Sequence, residues 1–374
     1  LIAPTQSPSL LAIPFFILLG TLMSYTGIAE RILHIANVLV GKMRGGLGVA
    51  NILVSTMMGG VSASNLADAA MLSRMMVPEM ERKGYNRAFA AAITAGGSLV
   101  TPIIPPGIAL IIYGLVADVS IGKMFIAGLV PGLLCAVVLM FTVYLVARKT
   151  NAKPSRESWP TGKEMVFSLG QAWPALFLIF AVVGGIRANI FTPTEAGAVA
   201  VLIVLAIGFF IYREMRISHV VKALGETARA TASVMLVIMA SAALGWIFSM
   251  EHAGVAVANF VTSLTENKYM FLLIINILLL TLGMFLEGNA ILLILVPLLK
   301  PVVEHFGIDP VHFGIIMIFN LSIGAFTPPV GTVMLLVCNI TQVSVGNFFK
   351  QSLPLLAALL LMLMLVTYIP AISL

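Results

Sequence analysis

Thr101-Pro102-Ile103-Ile104-Pro105-Pro106-Gly107 and Thr327-Pro328-Pro329-Val330-Gly331 are two versions of one phrase, each inside a long apolar stretch. Twelve residues after each closing glycine a second matched phrase follows, Val119-Ser120-Ile121-Gly122-Lys123-Met124-Phe125 and Val343-Ser344-Val345-Gly346-Asn347-Phe348-Phe349. Proline removes an N–H and cannot continue a regular helix, so each phrase predicts a broken helix with freed backbone groups. In hydrocarbon such groups are tolerated only where they line a cavity or are buried in protein. Two interrupted apolar segments at corresponding places in two halves point to the binding site of a secondary transporter.

Composition agrees. The 374 residues are 60% hydrophobic and only 10% charged, which predicts an all-α polytopic membrane protein. The apolar runs are continuous, as at 124–147, 173–186 and 198–212. Strands of a membrane barrel would instead alternate apolar and polar residues. The net charge of +6 does not indicate nucleic acid, because the basic residues gather at segment ends and in one loop. That loop carries Arg148, Lys149, Lys153, Arg156 and Lys163, which marks it as cytoplasmic. Cys135 and Cys338 sit in apolar context and read as packing residues. His34, His219, His252, His305 and His312 share no metal spacing, and no Ser has a nucleophile's partner nearby, so no enzyme is predicted. The opening Leu1-Ile2-Ala3-Pro4 has no initiator Met and no leading span, which predicts a truncated N-terminus.

Working outward from the two breaks gives an inverted-topology repeat. Residues 1–44 are N-terminal scaffold helices, with 9–25 as a first span and 27–44 tilted or interfacial. The first repeat occupies 45–147: a hairpin at 45–82, a broken helix at 85–117 and a span at 123–147. The arms of that hairpin cover only about 20 Å of a roughly 30 Å core, so it is predicted to be re-entrant. Its tip is Gly59-Gly60-Val61-Ser62-Ala63-Ser64-Asn65, and its base is basic. A basic loop at 148–171 and central scaffold helices at 172–266 follow; 220–230 reads as interfacial and 232–248 as a crossing. The second repeat occupies 267–374: a hairpin at 267–304 with the tip Glu287-Gly288-Asn289, a broken helix at 310–341 and a span at 347–370. Charge bias opens the first hairpin to the inside and the second to the outside.

Both tips and breaks offer oxygen ligands to a hard cation without buried charge. If the repeat folds as in the transporter family that the chain resembles, each tip meets its break, and the candidate Na⁺ ligands are Ser62, Asn65, Thr101, Ile104 and Pro106 in one half, and Gly288, Asn289, Thr327, Pro329 and Gly331 in the other; small residues for close helix packing are the alternative. Ser64, Arg74 and Glu287 are candidates for substrate contact. An acidic group at membrane depth is usually functional, although Glu287 could equally cap the returning helix. Asp68, one turn into its arm, reads as a carboxylate favoured by the helix dipole, with Arg74 as a potential partner. Arg187 and Glu195 read as an interfacial pair.

Several further stretches resemble the large membrane subunit, DctM-like, of tripartite ATP-independent periplasmic (TRAP) transporters. They are Gly45-Gly46-Leu47-Gly48, Ala67-Asp68-Ala69-Ala70, Phe191-Thr192-Pro193-Thr194-Glu195-Ala196-Gly197, Gly307-Ile308-Asp309-Pro310-Val311-His312-Phe313-Gly314 and Ile323-Gly324-Ala325-Phe326-Thr327-Pro328-Pro329. Asn65 and Gly107 depart from the family's usual small residue and Ser, and its usual N-terminal span is missing. The resemblance implies an elevator-type importer of a small organic acid in the bacterial inner membrane, with a scaffold and a transport domain. The acid would be a C4-dicarboxylate, sugar acid or sialic-acid-like anion, with Na⁺ as coupling ion and no other cofactor. Its implied partners are a small membrane subunit (Q-type), a periplasmic substrate-binding protein (P-type) and membrane lipid. A standalone Na⁺/carboxylate symporter or ion antiporter of related design stays open, and more remotely an intramembrane enzyme.

Overall fold

The computed structural model describes residues 8–62, 64–150, 152–156, 158–251 and 253–374, and among these no strand occurs. A short 3-10 turn leads into α1 (Ala12–Met23), and Gly27, at φ +67°, turns the chain into α2 (Ile28–Val40), bent 69° from α1. At 12 residues α1 is about 18 Å long, so it does not cross alone as the reading of 9–25 required. Then come α3 (Gly46–Ser62), α4 (Asn65–Arg82), α5 (Arg87–Ser98), α6 (Ile108–Ala117) and α7 (Ile121–Arg148). The middle of the chain holds α8 (Gly162–Arg187), α9 (Pro193–Ala206) with a π-helical turn at Ile207–Ile211, α10 (Ile217–Met250) and α11 (Ala253–Leu264). The last part is α12 (Lys268–Phe285), α13 (Gly288–His305), α14 (Pro310–Phe326), α15 (Thr332–Thr341) and α16 (Val345–Tyr368). Among the described residues seven helices are long and apolar enough to cross a membrane, or eight if the bent pair α1–α2 is one span.

Three boundaries correct the sequence reading. The basic loop ends at Thr161, not 171, because the Thr161 hydroxyl accepts from the Glu164 N–H and starts α8 there. Residues 220–230 and 232–248 are not separate elements but one continuous helix, α10. The short helix α11, which packs on α13, was not read at all.

Local details recur between the two parts that carry the proline phrases. Asn86 caps α5 by accepting from the N–H groups of Ala88 and Phe89, and Asp309 caps α14 from Val311 and His312. Helices α6 and α15 are 10 residues each and end on a left-handed residue, Asp118 (φ +59°) and Gln342 (φ +55°). Ser120 caps α7 and Ser344 caps α16, each accepting from the N–H three residues on. The bonds Pro105–Pro106 and Pro328–Pro329 are both cis. A buried polar pair joins the first hairpin arm to the helix before the break in each part: Asn51 donates to Thr94 at 2.7 Å, and Asn320 donates to Asn276 at 2.7 Å.

These pairs sit at the centre of the packing. Every residue of α14 from Val311 to Phe326 is buried, and α5 is buried from Ala88 to Ser98. A helix apolar all round belongs inside a bundle. Around α5 pack α3, α4 and α16, and around α14 pack α12, α13 and α16. The exterior is apolar too: Phe180, Leu202, Phe210 and Trp246 are exposed, as expected of a chain whose solvent is hydrocarbon. Glu195 does not pair with Arg187 in the described ion pairs; it closes a capping box with Thr192 at the start of α9.

Candidate functional site

A cavity of about 110 Å³ lies where both hairpin tips meet the helix starts that follow the two breaks. Ser64, Asn65 and Leu66 enter from the first tip, and Glu287, Gly288 and Asn289 from the second. Pro102 comes from the first break, Ile108 and Ala109 from the first turn of α6, Thr332 from the start of α15, and α14 supplies one face. Four helices therefore begin at this cavity: α4, α6, α13 and α15.

Their caps differ in kind. The Ser64 hydroxyl caps α4, accepting from the Ala67 N–H at 3.4 Å. Glu287 caps α13: its carboxylate accepts from the Ala290 N–H at 3.0 Å and from the Asn289 amide at 2.8 Å. Gly107 and Gly331 stand at the cap positions of α6 and α15 and bring no side-chain cap. The first-turn N–H groups of α6 and α15 thus have no partner from their own cap. With the partial positive charge of a helix start, they suit an anion.

The breaks supply the complement. No carbonyl from Thr101 to Pro106, or from Thr327 to Val330, accepts a backbone N–H among the described hydrogen bonds outside regular helix. The first break is tied to its hairpin by the Thr101 hydroxyl, which donates to the Asp68 carboxylate at 2.7 Å; both residues are buried. The second is tied by the Gly331 N–H, which donates to the Met284 carbonyl on α12 at 2.9 Å. Gly331 sits at φ +41°, where a side chain would be strained, and an added Cβ would lie 2.7 Å from the Thr327 carbonyl oxygen.

The residues singled out from the sequence fall into three groups. Ser64, Asn65, Glu287, Gly288 and Asn289 line the cavity together. Thr101, Ile104, Pro106, Thr327, Pro329 and Gly331 belong to the breaks behind it and do not line it. The Thr327 hydroxyl is spent on the Ile323 carbonyl at 2.7 Å, one turn back in its own helix. Ser62 is the last residue of α3, and its side chain lies outside the described residues. Arg74 is a correction: it is exposed on α4 and is no part of the cavity wall. Glu287 is thus the only charged side chain among the described lining residues. It also makes the N-cap contacts of the alternative reading.

Sequence reasoning passed over Pro102, Ile108, Ala109, Leu292 and the α14 face made by Ile318, Leu321, Ser322 and Ala325. That last set is spaced as one face of a helix, with Ser322 as its polar member, so the signal was present.

Comparison with known proteins places this architecture. A family model described as "Tripartite ATP-independent periplasmic transporter, DctM component" matches residues 1–372. The C4-dicarboxylate TRAP transporter large permease protein DctM of Pseudomonas aeruginosa is 40% identical over 98% of this chain and 85% of its own. The sialic acid TRAP transporter large permease protein SiaM of Vibrio cholerae is 40% identical over the same shares. The isethionate TRAP transporter permease protein DctMQ of Oleidesulfovibrio alaskensis is 36% identical, over 97% of this chain and 57% of its own. Among solved structures, the Alcanivorax borkumensis YdaH transporter aligns with a TM-score of 0.61 over 96% of this chain and 86% of that one; at 16% identity this likeness concerns the fold alone. With a match along nearly its whole length and relatives named as permeases, not enzymes, this multi-pass membrane chain belongs to the DctM family, the large permease components of TRAP transporters.

Proposed function

We propose that the chain imports a small organic acid together with Na⁺, by an elevator movement of its two inverted hairpin repeats against a scaffold that includes α1, α9 and α10. The observation that carries this reading is the convergence of both tips and of the helix starts that follow both breaks on one cavity. There, uncapped helix starts favour the carboxylate, and the unclaimed carbonyls of the breaks favour Na⁺. The Na⁺ ligands would come from Ser62, Asn65, Thr101, Ile104 and Pro106 in one half and from Gly288, Asn289, Thr327, Pro329 and Gly331 in the other. Ser64 and Glu287 would orient the acid. The relatives' names include a C4-dicarboxylate and a sialic acid permease, which supports an organic acid as cargo. A periplasmic binding protein would deliver it in the bacterial inner membrane. A small membrane subunit would widen the scaffold; the DctMQ name of one relative fits that pairing.

Two Na⁺ moving with a monoanion carry net charge inward, and each charge gains about 2.3 kcal/mol per 100 mV of potential. The test is uptake into proteoliposomes holding the chain with its small subunit and binding protein. Uptake is expected to follow an imposed Na⁺ gradient and to rise with an inside-negative potential. Full uptake on a proton gradient alone overturns Na⁺ coupling. Full uptake without the binding protein favours a standalone symporter.

A further inference from the structure

We infer that the cleft between α10 and the pair α6 and α13 is a binding site for one membrane phospholipid, with an acyl tail inside the protein and its phosphate at Lys300. The cleft is separate from the tip cavity and larger, about 260 Å³. Its walls are Ile112, Leu115 and Val116 of α6, Leu293 and Pro297 of α13, Ile238, Ser241, Ala242 and Gly245 of α10, and Leu10. Ser241 is the only polar side chain among these, and it is buried.

The occupant follows from the solvent. An apolar cavity of roughly 150 Å³ stays dry and accepts a hydrocarbon the size of benzene, because water there would forfeit its hydrogen bonds. This cleft is larger and as poor in polar groups. An unfilled void would also forfeit the dispersion contacts of its walls. The hydrocarbon at hand is acyl chain, since α10 presents Leu236, Leu244, Trp246 and Ile247 exposed around the cleft-lining residues.

Charge at one end selects a phospholipid over a neutral lipid. One turn beyond Pro297 on α13, Lys300 is exposed and enters none of the described ion pairs. Lys300 and Glu304 both border the next hollow along α6 and α13, beside Tyr113 and Ala117. An ammonium and a carboxylate one turn apart match the phosphate and amine of an ethanolamine headgroup. Lys300 can hold the phosphate while its apolar stem lies along the tail.

Gly245 gives a clean probe, because a Cβ added there meets no atom within 4 Å. The experiment uses the full-length chain with its small subunit in nanodiscs containing phosphatidylethanolamine with a diazirine on the tail. After illumination, mass spectrometry maps the adducts. Adducts are expected on the wall residues Ile238, Ala242 and Leu293. They should fall to background in Gly245→Leu, while labelling of Leu236, Leu244 and Trp246 persists. Lys300→Ala should lower the wall adducts about threefold, as expected for one exposed charge contact. Ala242→Leu fills the same space if Gly245→Leu does not assemble, and the melting midpoint of each variant in detergent reports folding. Adducts confined to Leu236, Leu244 and Trp246 overturn the inference. So do wall adducts that survive in a folded, filled variant, or cross-links showing residues 1–7 or the small subunit seated in the cleft.

Discussion

The Thr101 hydroxyl ties the first break to Asp68. Thr101→Val keeps the shape and removes the donor to a buried carboxylate. A loss of about 1–3 kcal/mol is expected, the cost of a buried polar group deprived of a partner. Thermal unfolding of the purified protein checks it; a midpoint equal to wild type would show that Thr101 does not anchor the break. Thr327→Ala should cost less, under about 1 kcal/mol, because its hydroxyl only back-bonds within α14. If the Thr101 oxygen also serves Na⁺, the valine variant needs more Na⁺ for half-maximal uptake. Glycine and asparagine at the tips were legible in the sequence because small polar residues stand out between apolar arms. The contact of Asp68 with Thr101 was not, since 33 positions separate the two and local spacing points only to the helix dipole. Arg74 was misread for the same reason: helical spacing gives its turn, not which face the neighbouring helices cover.

Helix against helix, Gly283 of α12 packs closely on Gly324 of α14. A Cβ on Gly324 would come within 2.7 Å of the Gly283 backbone, while one on Gly288 would meet the Leu321 Cβ at an ordinary 3.5 Å. Gly324→Ala is therefore expected to destabilise by about 1–3 kcal/mol through overpacking, and Gly288→Ala to fold like wild type. Comparing the melting midpoints of the two variants decides this; equal midpoints would mean that α12 and α14 part without cost. The breaks could be read from the sequence because proline acts locally. The start of α8 was missed, although Thr161-Gly162-Lys163-Glu164 is a capping pattern. The continuity of α10 was hidden: Lys222, Glu226, Arg229 and Thr231 interrupt the apolar run, yet helical backbone needs no apolar side chains where polar surroundings accept them.

At the scale of the whole molecule, the proposed elevator exposes the tips to each side in turn. Cys135 and Cys338 are buried, so replacing both by Ala gives a background for single reporters. In it, Ser64→Cys and Gly288→Cys should react with an impermeant thiol reagent at rates that Na⁺ changes in opposite directions. A ligand shifts populations only through differential affinity for the two states. Equal labelling from both sides at every Na⁺ concentration would describe an open pore instead. Class and family were legible because composition and paired motifs extend along the whole chain. The cavity wall was less so, because α14 contributes a face whose importance depends on what folds against it.

The glycine caps of α6 and α15 have a consequence for time as well as for affinity. A helix start with no cap of its own frays, and its amides exchange with solvent deuterium unless something holds them. If the carboxylate of the cargo is what holds them, the loaded protein completes two helices that the empty one leaves loose. Amide exchange near Ile108–Leu110 and Thr332–Met334 should then slow when substrate and Na⁺ are both present, and much less with Na⁺ alone. The ordering of those two first turns would let the protein register whether it carries anything before it moves.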